Sequence, residues 1–182
     1  MSEPRAADGG LAVRFADELT AADGTPHLGG EPVAVALAVA GEAPTTIAVD
    51  DDPALDPIVD ALTAAGHTVR RPHDPTYRAD LAHATLGVTR CAAAIADTGT
   101  LMLVFDAAHP RSTSLLPRVH LAVVEDDDLV PSLGDALGRV PSPAPSAITF
   151  VTGPSRSADI EQILTLGVHG PGRVHVVLPA RG

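Results

Sequence analysis

The stretch TTIAVDDDPALDPIVDALTAAGHTVR, residues 45–70, decides the fold. Its first five residues, Thr45 to Val49, form a short β-branched run and predict a strand. Asp52 then carries the right side chain to cap a helix, and Pro53 suits its first turn. Leu55, Ile58, Val59 and Leu62 fall on one apolar stripe at helical spacing. Gly66 stops that helix, and residues 67–70 open a second strand. Strand, helix and strand in this order predict a parallel pair whose crossover helix lies on one face of the sheet.

The same rhythm continues on both sides. Upstream, residues 1–10 are small and polar and read as a flexible N-terminus. Residues 11–20 predict a short helix, and residues 23–30 a turn-like connection. Residues 31–40 alternate like a strand at Val33, Val35, Leu37 and Val39. Pro32, the intervening alanines and Gly41 favour a helix there instead, and that is the reading taken. Downstream, a helix is expected from about Tyr77 to Ala84. Residues 86–105 are apolar and small and break at Thr98-Gly99-Thr100, with strands expected on both sides. Residues 109–116 read as a loop with a turn of helix, and residues 118–124 as a buried strand. Asp128 is expected to cap a helix through Val130, Leu133 and Leu137. After the Pro/Ser loop of residues 141–146 come a strand over 147–152, a helix over 157–166 and a last strand over 173–178. The expected class is α/β, a layered and mainly parallel sheet flanked by helices.

Composition narrows the chemistry. A length of 182 residues suits one domain, here residues 11–182. Aromatic residues make up 2% and Trp is absent, so the core must be built from Val, Leu, Ile and Ala. The chain has no Lys and no Asn, which removes a lysine Schiff base, a P-loop lysine and an N-glycosylation site. A net charge of −11 opposes a phosphate backbone and an anionic membrane surface, so neither nucleic acid nor membrane is an expected partner. Cys91 is the single cysteine and cannot hold an iron–sulfur cluster, which takes about four ligands. No apolar run approaches the roughly 18 residues of a membrane span. No signal-like h-region opens the chain, so a cytoplasmic protein is expected.

Two stretches could carry chemistry. Gly153-Pro154-Ser155-Arg156-Ser157-Ala158-Asp159-Ile160-Glu161 lies between an expected strand and an expected helix. A helix N-terminus there would favour an anion, with Ser155, Arg156 and Ser157 as further donors. Capping alone would also explain Ser157 and Asp159. In Asp97-Thr98-Gly99-Thr100, Gly99 lets backbone approach a ligand, and Asp97 offers a general base. A polar turn is the alternative. His169, in Gly167-Val168-His169-Gly170-Pro171, could donate to a carboxylate, move a proton or cap a helix end. His120 reads as a hydrogen-bonded core residue and Cys91 as a small buried hydrophobe. Asp50-Asp51-Asp52 and residues 125–128 read as capping and solvated carboxylates. His67, His73 and Asp74 lack zinc spacing, and no metal site is expected.

Several segments together resemble a known family. They are Gly87-Val88-Thr89 with Ala94-Ile95-Ala96-Asp97-Thr98-Gly99-Thr100, then Leu115-Leu116-Pro117-Arg118-Val119-His120, then the two C-terminal stretches around Arg156 and His169. They run in order over residues 86–178 and resemble the LUD-domain family of lactate-utilisation proteins. Asp97 stands where that family more often has Glu. The resemblance implies a ribose-5-phosphate isomerase/CoA-transferase-like (NagB/RpiA/CoA transferase-like) fold. It implies a subunit that works beside iron–sulfur subunits in oxidising L-lactate to pyruvate, with no cofactor of its own. Read from the residues themselves, the expected site has Asp97 and His169 as catalytic residues. Its small anionic ligand would sit on Thr98, Gly99, Thr100, Ser155, Arg156 and Ser157. A stand-alone isomerase or CoA-transferase-like enzyme and a non-catalytic interaction module remain as alternatives, and a homo-oligomer is left open.

Overall fold

The structure is a computed structural model. It describes residues 10–158, 164–166 and 170–178, with the backbone alone for residues 156–158 and 164–166. In chain order the elements begin with α1 (Leu11–Ala21), β1 (Thr25–Leu28), α2 (Pro32–Ala40) and β2 (Thr46–Val49). A 3-10 turn (Pro53–Leu55) leads into α3 (Asp56–Ala64), followed by β3 (Thr68–Arg70) and α4 (Tyr77–Asp80), which a 3-10 turn (Leu81–His83) extends. Then come β4 (Ala84–Arg90), β5 (Ala93–Ile95), β6 (Thr100–Phe105), α5 (Arg111–Leu115), β7 (Val119–Val123), β8 (Leu129–Val130) and α6 (Leu133–Leu137). The last strands are β9 (Ala147–Val151), β10 (Arg156–Ala158), β11 (Leu164–Leu166) and β12 (Arg173–Leu178).

The opening stretch folds as its pattern requires. Asp52 accepts the Ala54 N–H at 2.8 Å, and β2 pairs with β3 in parallel through α3. Six strands form one parallel sheet in the order β1-β12-β7-β4-β2-β3. From β2 the chain moves outward to β3 and then returns across to β4, so the winding reverses between β2 and β4. In sheets of this kind, that reversal opens a crevice beyond the carboxyl ends of the strands. A second sheet has the order β8-β5-β6-β9, and β10 pairs with β11 by themselves.

Strand alternation sorts the core into layers. Leu86, Val88, Val119, Leu121 and Val123 face Ile58 and Leu62 of α3. Ala122, Val174 and Val176 face the other way, toward Phe15 and Leu19 of α1 and Leu101, Leu103 and Phe105 of β6. The mainly parallel, helix-flanked α/β architecture expected from the sequence is the one observed.

Three local expectations fail. Residues 25–28 form an edge strand on β12 instead of a turn connection. Pro26 made them look turn-like, yet an edge strand tolerates a missing N–H. Asp128 caps no helix. It ends a 3-10 turn, where its carboxylate accepts the Glu125 N–H at 2.9 Å, while Leu129 and Val130 form β8. Ser132 caps α6 instead, in a reciprocal box with Asp135. The helix expected over 157–166 is replaced at both ends by the β10–β11 hairpin, with Arg156 opposite Leu166 and Ala158 opposite Leu164. Apolar residues at 160, 163 and 164 suit helical and extended backbone alike, and strand pairing decides between them.

Candidate functional site

Two clefts open at opposite ends of the layer between the sheets. The first lies at the amino ends of β7 and β12 and has a volume of about 210 Å³. Ser114 and Leu115 of α5 form one side, and His120 of β7 lies at its base. The end of β9 and the turn after it, Thr152, Gly153 and Ser155, form the opposite side. Gly170 and Pro171 close it, with the Ser155 N–H donating to the Pro171 carbonyl at 2.9 Å. These residues bring three of the four quoted segments to one place: the entry to β7, the turn after β9 and the approach to β12.

His120 is 1% exposed, and its Nε2 lies 2.9 Å from the Thr89 hydroxyl. Its Nδ1 is buried without a partner among the described residues. Burial pushes its pKa down to about 4, so the ring is neutral at physiological pH. In the tautomer where Thr89 donates to Nε2, the Nδ1–H is a free donor; in the other, Nδ1 is a free acceptor. Buried polar atoms are almost always paired, and the residue that carries this unpaired one lines the cleft, so His120 is the cleft's candidate for a polar contact. The sequence reading placed His120 in the core, which is correct, but gave it no further role. The available signal was its place at the end of the Leu-Leu-Pro-Arg-Val-His segment.

The other sequence candidates take different positions. Ser155 lines the amino-edge cleft. Thr100 reaches it indirectly, its hydroxyl 2.6 Å from that of Thr152. Gly99 has φ of +60°, and a Cβ there would stand 2.3 Å from the Leu19 backbone nitrogen. Gly153 has φ of +71°, and its Cβ would stand 2.1 Å from the Ala22 carbonyl oxygen. Both turns are therefore pressed against the end of α1, so the close backbone approach serves packing. Thr98 is exposed and donates to Thr100 at 2.7 Å. Asp97 pairs with Arg14 of α1 at 2.6 Å, and neither Asp97 nor Thr98 lines either cleft. His169 and the side chains of Arg156 and Ser157 lie outside the described residues.

The second cleft, of about 220 Å³, occupies the crevice at the carboxyl ends of β2 and β4. Asp50, Arg90 and His109 line it beside an apolar wall of Leu103, Val104 and Phe105. Asp50 is 4% exposed, and its Oδ1 has no partner among the described residues. Burial raises its pKa to about 7; Thr113 and His109 pull it down, while Asp106 and Asp52 push it up. Arg90 bridges Glu125 at 2.7 Å and Asp128 at 2.8 Å, and its buried Nε is left without a partner among the described residues. Asp106 accepts from the ring and backbone of His109 and from the Ala108 N–H. Desolvation would raise the Asp106 pKa, but these bonds outweigh it and hold it low. The sequence reading treated Asp50 as a solvated or capping carboxylate, and its burial corrects that. Cys91 is buried as expected. Among the described residues, no group of three or more His, Cys, Asp or Glu side chains is placed to hold a metal ion, and no helix is long and apolar enough to cross a membrane.

The LUD-domain model matches residues 53–178, a span that includes all four quoted segments and extends beyond them toward the N-terminus. The chain belongs to the LUD-domain family. It is 37% identical over 101 residues to lactate utilization protein C of Oceanobacillus iheyensis, a match covering 52% of this chain and 43% of that protein. It is 34% identical over 116 residues to lactate utilization protein C of Deinococcus radiodurans, covering 62% and 55%. The match thus takes in less than half of the Oceanobacillus protein's length. A crystal structure of a DUF162 family protein from Deinococcus radiodurans is similar with a TM-score of 0.66 over 93% of this LUD-domain chain and 96% of the other, at 24% identity. That likeness establishes a shared fold.

Proposed function

We propose that this LUD-domain chain serves in lactate utilisation in the cytoplasm, holding a small carboxylate in the amino-edge cleft while iron–sulfur partner subunits accept the electrons. The observation that carries the reading is the convergence of three motif segments on one cleft around a buried, unpartnered His120 Nδ1. A neutral imidazole N–H and the Ser155 hydroxyl suit the oxygens of a 2-hydroxy or 2-oxo acid. Arg156, Ser157 and His169, next to Ser155 and Gly170 in sequence, are the remaining candidates for ligand contacts, with Arg156 as the counter-charge. Thr100 acts at one remove, by orienting Thr152. The relatives named for lactate utilisation supply the metabolic setting. Oxidising lactate to pyruvate releases two electrons and two protons. The electrons need an acceptor, and clusters in partner subunits are assigned that part.

The reading is tested by deleting the gene and growing the source organism on L-lactate. Growth should fail and return with the parent chain, but not with a folded Ser155→Ala/Arg156→Ala variant. Cluster-bearing proteins should co-purify with the parent chain. Undiminished growth on lactate after deletion overturns the reading.

A further inference from the structure

The carboxyl-edge cleft is not used by that reading and has a different character. Its acidic and basic side chains are Asp50, Asp52, Asp106, His109 and Arg90, with the Thr89 hydroxyl beside them. The Arg90 guanidinium already faces Glu125 and Asp128, and the His109 ring is held by Asp106. A simple anion would meet three carboxylates there with little uncommitted positive charge, so the acid of the other cleft does not belong in this one. Two buried atoms on the lining residues lack partners among the described residues, the Asp50 Oδ1 as acceptor and the Arg90 Nε as donor. The first calls for an N–H or O–H, and the second for an oxygen.

We propose that this cleft is a second ligand site, which takes a small molecule bearing a protonated amine beside an oxygen acceptor, of the amino-acid or amino-alcohol class. The amine donates to Asp50, the oxygen accepts from Arg90, and the ligand's carbon atoms lie against Leu103, Val104 and Phe105. The place in the fold supports this independently, because the cleft sits where the winding of the parallel sheet reverses. The inference does not depend on the lactate reading and can fail without it.

L-Alanine and L-lactate make a matched pair of probes, differing in an ammonium against a hydroxyl, with ethanolamine as a third. Each is titrated into the whole ¹⁵N-labelled chain. L-Alanine and ethanolamine should shift the amides of Asp50, residues 89–91 and residues 106–109, and L-lactate should leave them in place. Asp50→Asn should weaken the L-alanine response by about tenfold or more, a loss of roughly 1.4 kcal/mol. A control needs no substitution: protonating Asp50 removes the negative charge that faces the ammonium, so the parent chain should bind ethanolamine more weakly at pH 5.5 than at pH 8. His109, Asp106 and Asp52 are the charged groups beside it in that titration. Amides in this cleft that ignore both amines at millimolar concentration overturn the proposal, as does an L-alanine response unchanged in a folded Asp50→Asn chain.

Discussion

The two clefts share a wall but differ in electrostatic design. The amino-edge cleft is lined by hydroxyls, glycines and one neutral imidazole, and no Asp, Glu or Arg of the described residues lines it. The carboxyl-edge cleft has a buried carboxylate at its base and a guanidinium bridged to two further acids. The segment from Asp106 to Leu115 runs from one to the other, lining the first with Ser114 and Leu115 and the second with Asp106 and His109. Thr89 and His120 link them through the layer. The threonine lines one cleft and the histidine the other, 2.9 Å apart. A parallel sheet whose strand ends differ in chemistry can thus offer two unlike sites without a second domain.

The strongest way to break this arrangement is to lift the shared wall. A Cβ on Gly87 would stand 1.9 Å from the Thr113 carbonyl oxygen of α5, and backbone cannot swing aside as a flexible side chain can. Gly87→Ala should cost on the order of 4 kcal/mol or more, measured by urea unfolding. It should also disturb the amides of both Asp50 and Ser114. If one cleft stays unperturbed in a folded variant, the two do not share a wall in the sense argued here.

Asp50 gives the next largest effect, with a pH signature. Its carboxyl group has a pKa near 7 in the fold and 3.8 as its ordinary value. Between those values the folded chain binds the extra proton, so this group lowers stability as pH rises through that window. Asp50→Asn removes the penalty and should stabilise the chain by about 2–3 kcal/mol more at pH 8 than at pH 5. Equal gains at both pH values would show that Asp50 is not held protonated by burial.

His120 works in the opposite direction. Its pKa falls from 6.5 to about 4, so below pH 6.5 the unfolded chain takes up a proton that the fold refuses. Stability is lost as pH drops through that interval. His120→Gln should flatten this acid limb by about 2 kcal/mol between pH 6.5 and pH 4.5. The comparison of the clefts is sharpened if the Asp50 and His120 substitutions change the slope of the stability profile in opposite senses over the acid window that both groups share. It is broken if they change it in the same sense.

Much of the parallel sheet was legible because its units are local: a β-branched run, a capped stripe and a glycine stop can be read one after another. The edge strand at Thr25–Leu28 was hidden because β12, the strand that orders it, comes some 150 residues later. The β10–β11 hairpin was hidden by a spacing that suits helix and strand alike. The site was half legible. The motif segments do meet, and Ser155 lies where they meet. The depth of a side chain is not written in spacing, so Asp50 passed for a capping or solvated carboxylate, and His120, rightly read as a hydrogen-bonded core residue, gave no sign of the cleft it lines. The Thr98-Gly99-Thr100 turn was ambiguous for a related reason. A glycine that admits a ligand and a glycine that admits a helix look the same in sequence.

That last ambiguity yields the smallest expected effect. Asp97 is paired with Arg14 at 2.6 Å, and both side chains are well exposed, 39% and 48%. Pairs of this kind contribute little, because solvent screens them and two long side chains lose freedom in forming them. Asp97→Asn should therefore change stability by less than about 1 kcal/mol, and by less still in high salt. The geometry also gives it no route to either cleft, since Gly99 beyond it is pressed onto α1 and Thr100 reaches the amino-edge cleft only through Thr152. Growth on L-lactate should then be unchanged by Asp97→Asn while the Ser155→Ala/Arg156→Ala variant fails. A folded Asp97→Asn chain that cannot support such growth would move the chemistry to the Thr-Gly-Thr turn. The amino-edge cleft would then be a neighbour of the reacting centre instead of its seat.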